Sequence, residues 1–151
     1  MGKHDTIAAQ IAARWAGKTT PYHPCYLEYF HLFNTQDYYG AHDVLEHIWL
    51  KADGKQREFY KALIQLAGGF VHLKHQHREP THHVHGRRLR PAARLLQRCA
   101  TMLEVFPPTY EGIDIAAPHT IAVTTIHALQ QTHFTANPWM PTNAPWLKAP
   151  Q

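Results

Sequence analysis

A chain of 151 residues suits one domain, with length enough for a core of four or five helices. Its hydrophobic content of 44% excludes a largely disordered protein, and no apolar run approaches the roughly 20 residues a membrane span needs. The formal charge of +4 and isoelectric point near 9.2 are mildly basic, and the excess is local: residues 74–98 hold seven Lys or Arg against the single acid Glu79.

The opening Met-Gly-Lys-His-Asp leads into an amphipathic stretch and not into a signal-peptide core, so a cytoplasmic protein is expected. The first helix is predicted over Thr6–Ala16, capped by Asp5 or Thr6, with Ile7, Ile11 and Trp15 on one face and Gly17 and Pro21 ending it. Residues 22–33 form an aromatic approach segment that reads at most as a short helix. The stretch Phe33–Trp49 reads as one helix, capped by Asn34 and ending near Lys51, before Asp53-Gly54. Glu58 to His75 is the third helix, with Phe59, Tyr60, Leu63, Leu66, Ala67, Phe70 and Val71 on one broad face. Ala62, Gly68 and Gly69 on its other side imply close approach by another backbone or a ligand, since interior helical glycine costs roughly 1 kcal/mol relative to alanine. This helix is expected at the centre, with Leu63, Leu66, Ala67 and Phe70 almost fully buried.

A histidine-rich loop around Pro80 follows. The fourth helix runs from Arg88 to Leu103, with Pro91 in its first turn. A connector from Pro107 to Ile115 leads to a fifth helix starting near Pro118 and using Ile121, Ala122, Ile126 and Leu129. The fold class is therefore all-α: a single antiparallel bundle over residues 1–136 with an extended Pro-rich tail over 137–151, and no strand. Trp139 and Trp146 in that tail either bind a partner or wrap back onto the bundle, and the second is favoured.

Two groups of residues carry candidate chemistry. On the second helix Tyr38, Ala41, His42, Leu45 and Trp49 share one stripe with Glu46 at its edge. A histidine and a carboxylate at i, i+4 on a core-facing stripe need partners. Gln65 and His72, two turns apart on the small face of the third helix, are the expected ones. His42, Glu46, Gln65 and His72 then form a structural hydrogen-bond network, line a small ligand pocket, or, through His42 and Glu46, hold a divalent metal ion; the first reading is favoured. A His-Glu-x-x-His motif is absent, because Asp43 follows His42.

Arg87, Arg90, Arg94 and Arg98 recur at three, four and four residues and form the second group. They make either an anion-binding face for nucleic acid or another anionic partner, or a solvated surface paired with acids such as Glu104, Glu111 or Asp114. Six histidines (His72, His75, His77, His82, His83 and His85) could capture transition metals, but without cysteine or carboxylate partners at fixed spacing they read as a solvated loop. Cys25 and Cys99 are expected to be buried thiols, and no nucleophile elbow, phosphate loop or dinucleotide fingerprint is present.

Phe33-Asn34, Tyr38, Ala41-His42-Asp43-Val44-Leu45-Glu46 and Trp49 resemble the Phe-Asn…Tyr…Ala-His-Glu-x-Leu-Glu-x-x-Trp signature of domain-of-unknown-function family 309. Phe59 to Ala67 is similar to a second block of that family, and Gly112-Ile113-Asp114-Ile115 to a weaker third one. The resemblance covers about residues 25–115 and implies a compact all-helical bundle; it implies no activity, because the family is functionally unassigned. Asp43 replaces the usual Glu, Lys61-Ala62 the usual Gln-Gly, and Pro91-Ala92 the common Gly-Ala, without the Asn three residues earlier.

Overall fold

The computed structural model describes residues 3–17 and 20–151. Among them are six α-helices: α1 (Lys3–Arg14), α2 (Pro24–Asn34), α3 (Tyr38–Trp49), α4 (Gly54–Arg78), α5 (Leu89–Leu103) and α6 (Ala116–Gln131). Two short 3-10 turns, His85–Arg87 and Pro141–Asn143, lie in the connections. The all-α class read from the sequence holds, with one helix more than the five expected.

The additional helix is α2. Pro24 at its first position has no N–H to leave unsatisfied, and His23 Nδ1 accepts the Cys25 N–H at 3.0 Å. Its buried Cys25, Tyr26, Tyr29, Phe30 and Phe33 make it a core element in its own right. The expected single helix over Phe33–Trp49 is in fact two. α2 stops at Asn34, Gln36 takes a positive φ of 69°, and Asp37 caps α3 by accepting the Gly40 N–H at 2.9 Å. Asn34, the expected cap, instead grips the tail: its Nδ2 donates to the Leu147 carbonyl and its Oδ1 accepts the Leu147 N–H, both at 2.7 Å.

α1 begins at Lys3, before the expected Asp5 or Thr6 cap, and the side chains of Asp5, Thr6 and Ile7 lie outside the described residues. Gly17, in the left-handed region at φ 76°, sits just past its end.

α4 is the axis of the bundle. At 25 residues it spans about 37 Å, longer than expected at both ends, and stops before Pro80. It packs against α3 on one side and α5 on the other. Leu63, Leu66, Ala67 and Phe70 are all buried, as the sequence pattern predicts. The close approach implied by the paired glycines comes from α5. A Cβ on Gly68 would stand 3.0 Å from Leu95 Cδ1, and one on Gly69 2.6 Å from Leu96 Cδ2. Phe33, Tyr38 and Phe70 meet edge-on or tilted with ring centroids 5.3–5.7 Å apart. Tyr29 donates its hydroxyl to the Leu63 carbonyl at 2.7 Å, satisfying the one polar atom of a buried ring.

The connector after α5 contains an element the sequence reading missed. Thr109–Tyr110 (β1) pairs antiparallel with Ile113–Asp114 (β2) across Glu111 and Gly112, both at positive φ, the conformation of a tight hairpin turn. Two residues per strand are too few for alternation to show in sequence. The tail folds back onto the bundle: Trp139 is 4% exposed and Leu147 is buried, whereas Trp146 stays 65% exposed. No helix among the described residues is long and apolar enough to cross a membrane.

Candidate functional site

α3, α4 and α5 run antiparallel to their neighbours. Tyr38 at the start of α3 meets Phe70 late in α4, and Trp49 at the end of α3 meets Arg57 and Lys61 early in α4. Likewise the α5 residues Leu95 and Leu96 lie against Gly68 and Gly69. Between these three helices lies a groove of about 630 Å³, lined by Trp49 of α3, Arg57, Glu58, Lys61 and Gln65 of α4, and Gln97, Arg98, Thr101 and Met102 of α5.

The Trp49 ring is the focus of the groove. The Arg57 guanidinium lies 4.4 Å and the Lys61 ammonium 4.7 Å from its ring. Each is held by the negative face of the indole, an attraction worth about 0.5–1 kcal/mol at a partly exposed site. Arg57 also donates to the Ala52 carbonyl at 3.4 Å, which fixes it beneath the end of α3. Arg98 adds a third cation, and Glu58 is the one acid in the lining. In the sequence Trp49 stands on the stripe of His42 and Glu46, and Lys61 only as a departure from a family pattern. Arg57 has no place in that pattern, although it is one helical turn from Lys61 and so shares its face.

Glu46 and His42 sit one and two turns before Trp49 on the same side of α3. Their side chains are 32% and 34% exposed, so they are half-buried and not sealed in the core, and His42 Nδ1 stands 3.7 Å from Glu46 Oε2. His42 Nδ1 also lies 3.4 Å from Oδ1 of the buried Asp43. Gln65 opens onto the groove. His72 faces Arg88, the residue before α5, whose Nη1 donates to its Nδ1 at 2.9 Å. The structure thus brings His42 and Glu46 together, opens Gln65 onto the groove and pairs His72 with Arg88.

Burial, with Arg88, His75 and Arg94 close by, pushes the His72 pKa down to about 4. The unfolded side chain takes a proton near 6.5, so the unfolded state binds more protons between these values, and the stability owed to neutral His72 falls as pH drops from 6.5 toward about 4. His23 and His75 are lowered too, burial being the main cause of each, and act in the same direction. Thermal melts across this window should show a falling melting temperature, and His72→Asn should flatten part of the fall; an unchanged slope in that variant would mean His72 does not contribute.

The four arginines are all exposed, and three of them, Arg90, Arg94 and Arg98, follow one another a turn apart along α5. Arg87 belongs to the 3-10 turn before α5. Arg90 lies 4.3 Å over the Phe134 ring just beyond α6, Arg94 is near His72, and Arg98 lines the groove. The buried thiols are as expected. Burial raises Cys25 to about 11 and Cys99 to about 12, so neither is a thiolate at neutral pH.

Residues 77–84 of the histidine-rich turn are exposed, as expected of a solvated loop, but side chains draw its two ends together. His75 and His85 stack with ring centroids 4.8 Å apart, His85 Nε2 stands 3.4 Å from Glu79 Oε2, and Arg88 Nε donates to His85 Nδ1 at 2.8 Å. Glu79 is the carboxylate partner the sequence reading found lacking. Its spacing of four from His75 was visible; what brings His85 back to both is the turn itself.

These features define a class: a small all-helical bundle with an aromatic core and a basic groove along its central helix. Residues 26–84 match the family model described as Domain of unknown function (DUF309), so the resemblance read from the sequence holds over that stretch. The similar block at Gly112–Ile115 lies beyond the match. No curated protein and no solved structure matches the chain.

Proposed function

We propose that the chain is a binding module for a small phosphorylated molecule, seated in the groove between α3, α4 and α5. The observation that carries this reading is that Arg57 and Lys61 lie over Trp49 in a groove of about 630 Å³ that Arg98 also lines. That volume is in the range of small-molecule sites, roughly 300–1,000 Å³. Three cations against Glu58 favour an anion. Arg57 and Arg98 offer planar forks suited to phosphate oxygens, and Lys61 a point charge. Trp49 and Met102 supply apolar surface for the body of the ligand, while Gln65, Gln97 and Thr101 supply neutral hydrogen-bonding groups.

Helical spacing extends the groove walls toward the residues singled out from the sequence. Glu46 and His42 continue the Trp49 side of α3, His72 continues the Lys61 and Gln65 side of α4, and Arg94 continues the Arg98 side of α5. In this reading the His/Glu/Gln set and two of the arginines, Arg94 and Arg98, serve one ligand. Its anionic end lies among the cations, and its neutral end reaches toward His42 and Glu46.

Calorimetric titration with ATP, with adenosine as the uncharged control, tests the proposal. ATP should bind, adenosine should not, and affinity for ATP should fall with added salt. Lys61→Glu combined with Arg98→Glu should weaken ATP by about tenfold or more, each lost charged hydrogen bond being worth about 1.5–3 kcal/mol. Equal affinity for ATP and adenosine, or ATP binding indifferent to the double substitution, would remove the groove from consideration.

A further inference from the structure

The turn between α4 and α5 carries a second site, independent of the groove. We propose that His75, Glu79 and His85 bind a transition-metal ion of the zinc type. The candidate ligand atoms of all three lie within 4.8 Å of one another. His75 and Glu79 are one helical turn apart at the end of α4, so they project on the same side. His85 is returned to them by a tight turn in which Gly86 N–H donates to the His82 carbonyl at 2.9 Å, and His82 Nδ1 accepts the N–H groups of Val84 and His85 at 3.0 and 3.1 Å. A Cβ on Gly86 would collide with the Pro80 carbonyl, so this turn closes with glycine alone.

Two imidazoles and one carboxylate form a donor set that suits zinc, with the fourth position left to water. Magnesium and calcium, which prefer all-oxygen ligands, are poorly served. The spacing is already close to what zinc needs. Bonds of about 2.0–2.1 Å in a tetrahedron set ligand atoms about 3.4 Å apart, and His85 Nε2 to Glu79 Oε2 is 3.4 Å.

The metal-free arrangement names what zinc displaces. Arg88 donates to His85 Nδ1, so a neutral His85 carries its proton on Nε2, facing Glu79. When Nε2 gives its lone pair to the metal, that proton must move to Nδ1. Arg88, a donor only, then has no acceptor there and must release the ring. Arg88 therefore opposes the metal, and its removal should tighten binding.

The test is calorimetric titration of the full chain with zinc chloride at neutral pH, circular dichroism confirming that each variant keeps its helices. The parent chain should bind zinc and not magnesium. His85→Ala and Glu79→Gln should each weaken zinc by at least about tenfold, a loss no smaller than that known for disturbed outer-shell partners. His83→Ala, in the same turn but outside the cluster, should bind as the parent does, and Arg88→Ala should bind more tightly. Glu79 is exposed, so its variant remains a fair test even should His85→Ala disturb the turn. No zinc binding by the parent, unaltered binding by Glu79→Gln, or an equal loss in His83→Ala would overturn the proposal.

Discussion

Trp139→Ala should cost about 3–5 kcal/mol of unfolding free energy, the range for truncating a large buried aromatic. Trp139 lies in the tail, far from the helices in sequence, yet it is buried and its Nε1–H donates to the Tyr38 hydroxyl at 3.0 Å. Its ring meets Tyr38 edge-on at 6.1 Å and His77 at 5.3 Å. Truncation would empty that space and leave the buried Tyr38 hydroxyl without this donor. Asn137 reinforces the docking by donating to the Leu73 carbonyl and to Gln76 Oε1, both at 2.8 Å. Urea unfolding of the variant measures the loss. A change below about 1 kcal/mol, typical of an exposed site, would mean the tail is an ornament on a bundle stable without it.

Phe59→Ala should be comparably severe, about 3–5 kcal/mol. The buried Phe59 ring lies 6.0 Å from Tyr26 of α2, 5.7 Å from Phe106 and 5.0 Å from Tyr110 of β1. It therefore joins the stretch that matches the family to the ribbon that lies beyond the match. Domains are marginally stable, by about 5–15 kcal/mol, so such a loss is a large share of the whole. Denaturant unfolding should show a lower midpoint in a single transition. A second transition, with the ribbon region melting separately, would refute the single shared core.

The parts of this fold legible in the sequence are those decided by local pattern over many residues. The broad apolar face of α4 at Leu63, Leu66 and Phe70 repeats over several turns, and the paired Gly68 and Gly69 announce a close neighbour. What could not be read was decided by partners distant in sequence. Asn34 and Asp37 are both good caps, and the choice of Asp37 goes with Asn34 being held by Leu147, 113 residues away. In the extended tail a shift of one residue exchanges inside for outside. The result is that Leu147 and not Trp146 is buried. The candidate sites follow the same rule. The stripe through His42, Glu46 and Trp49 was visible because a single helix carries it. Arg57 joins Trp49 across the α3–α4 packing, and Glu79 joins His85 across a turn that no periodicity encodes.

The most direct test of the proposed groove is a nuclear magnetic resonance titration of isotope-labelled protein with ATP. Binding in the groove predicts that the Trp49 indole N–H and the backbone amides of Lys61, Gln65 and Arg98 shift together, with one affinity that weakens as salt is added. The Trp139 indole, buried against Tyr38, should not move. Shifts confined to Arg87, Arg90 and the histidine turn, or no saturable shift at Trp49, would contradict the account.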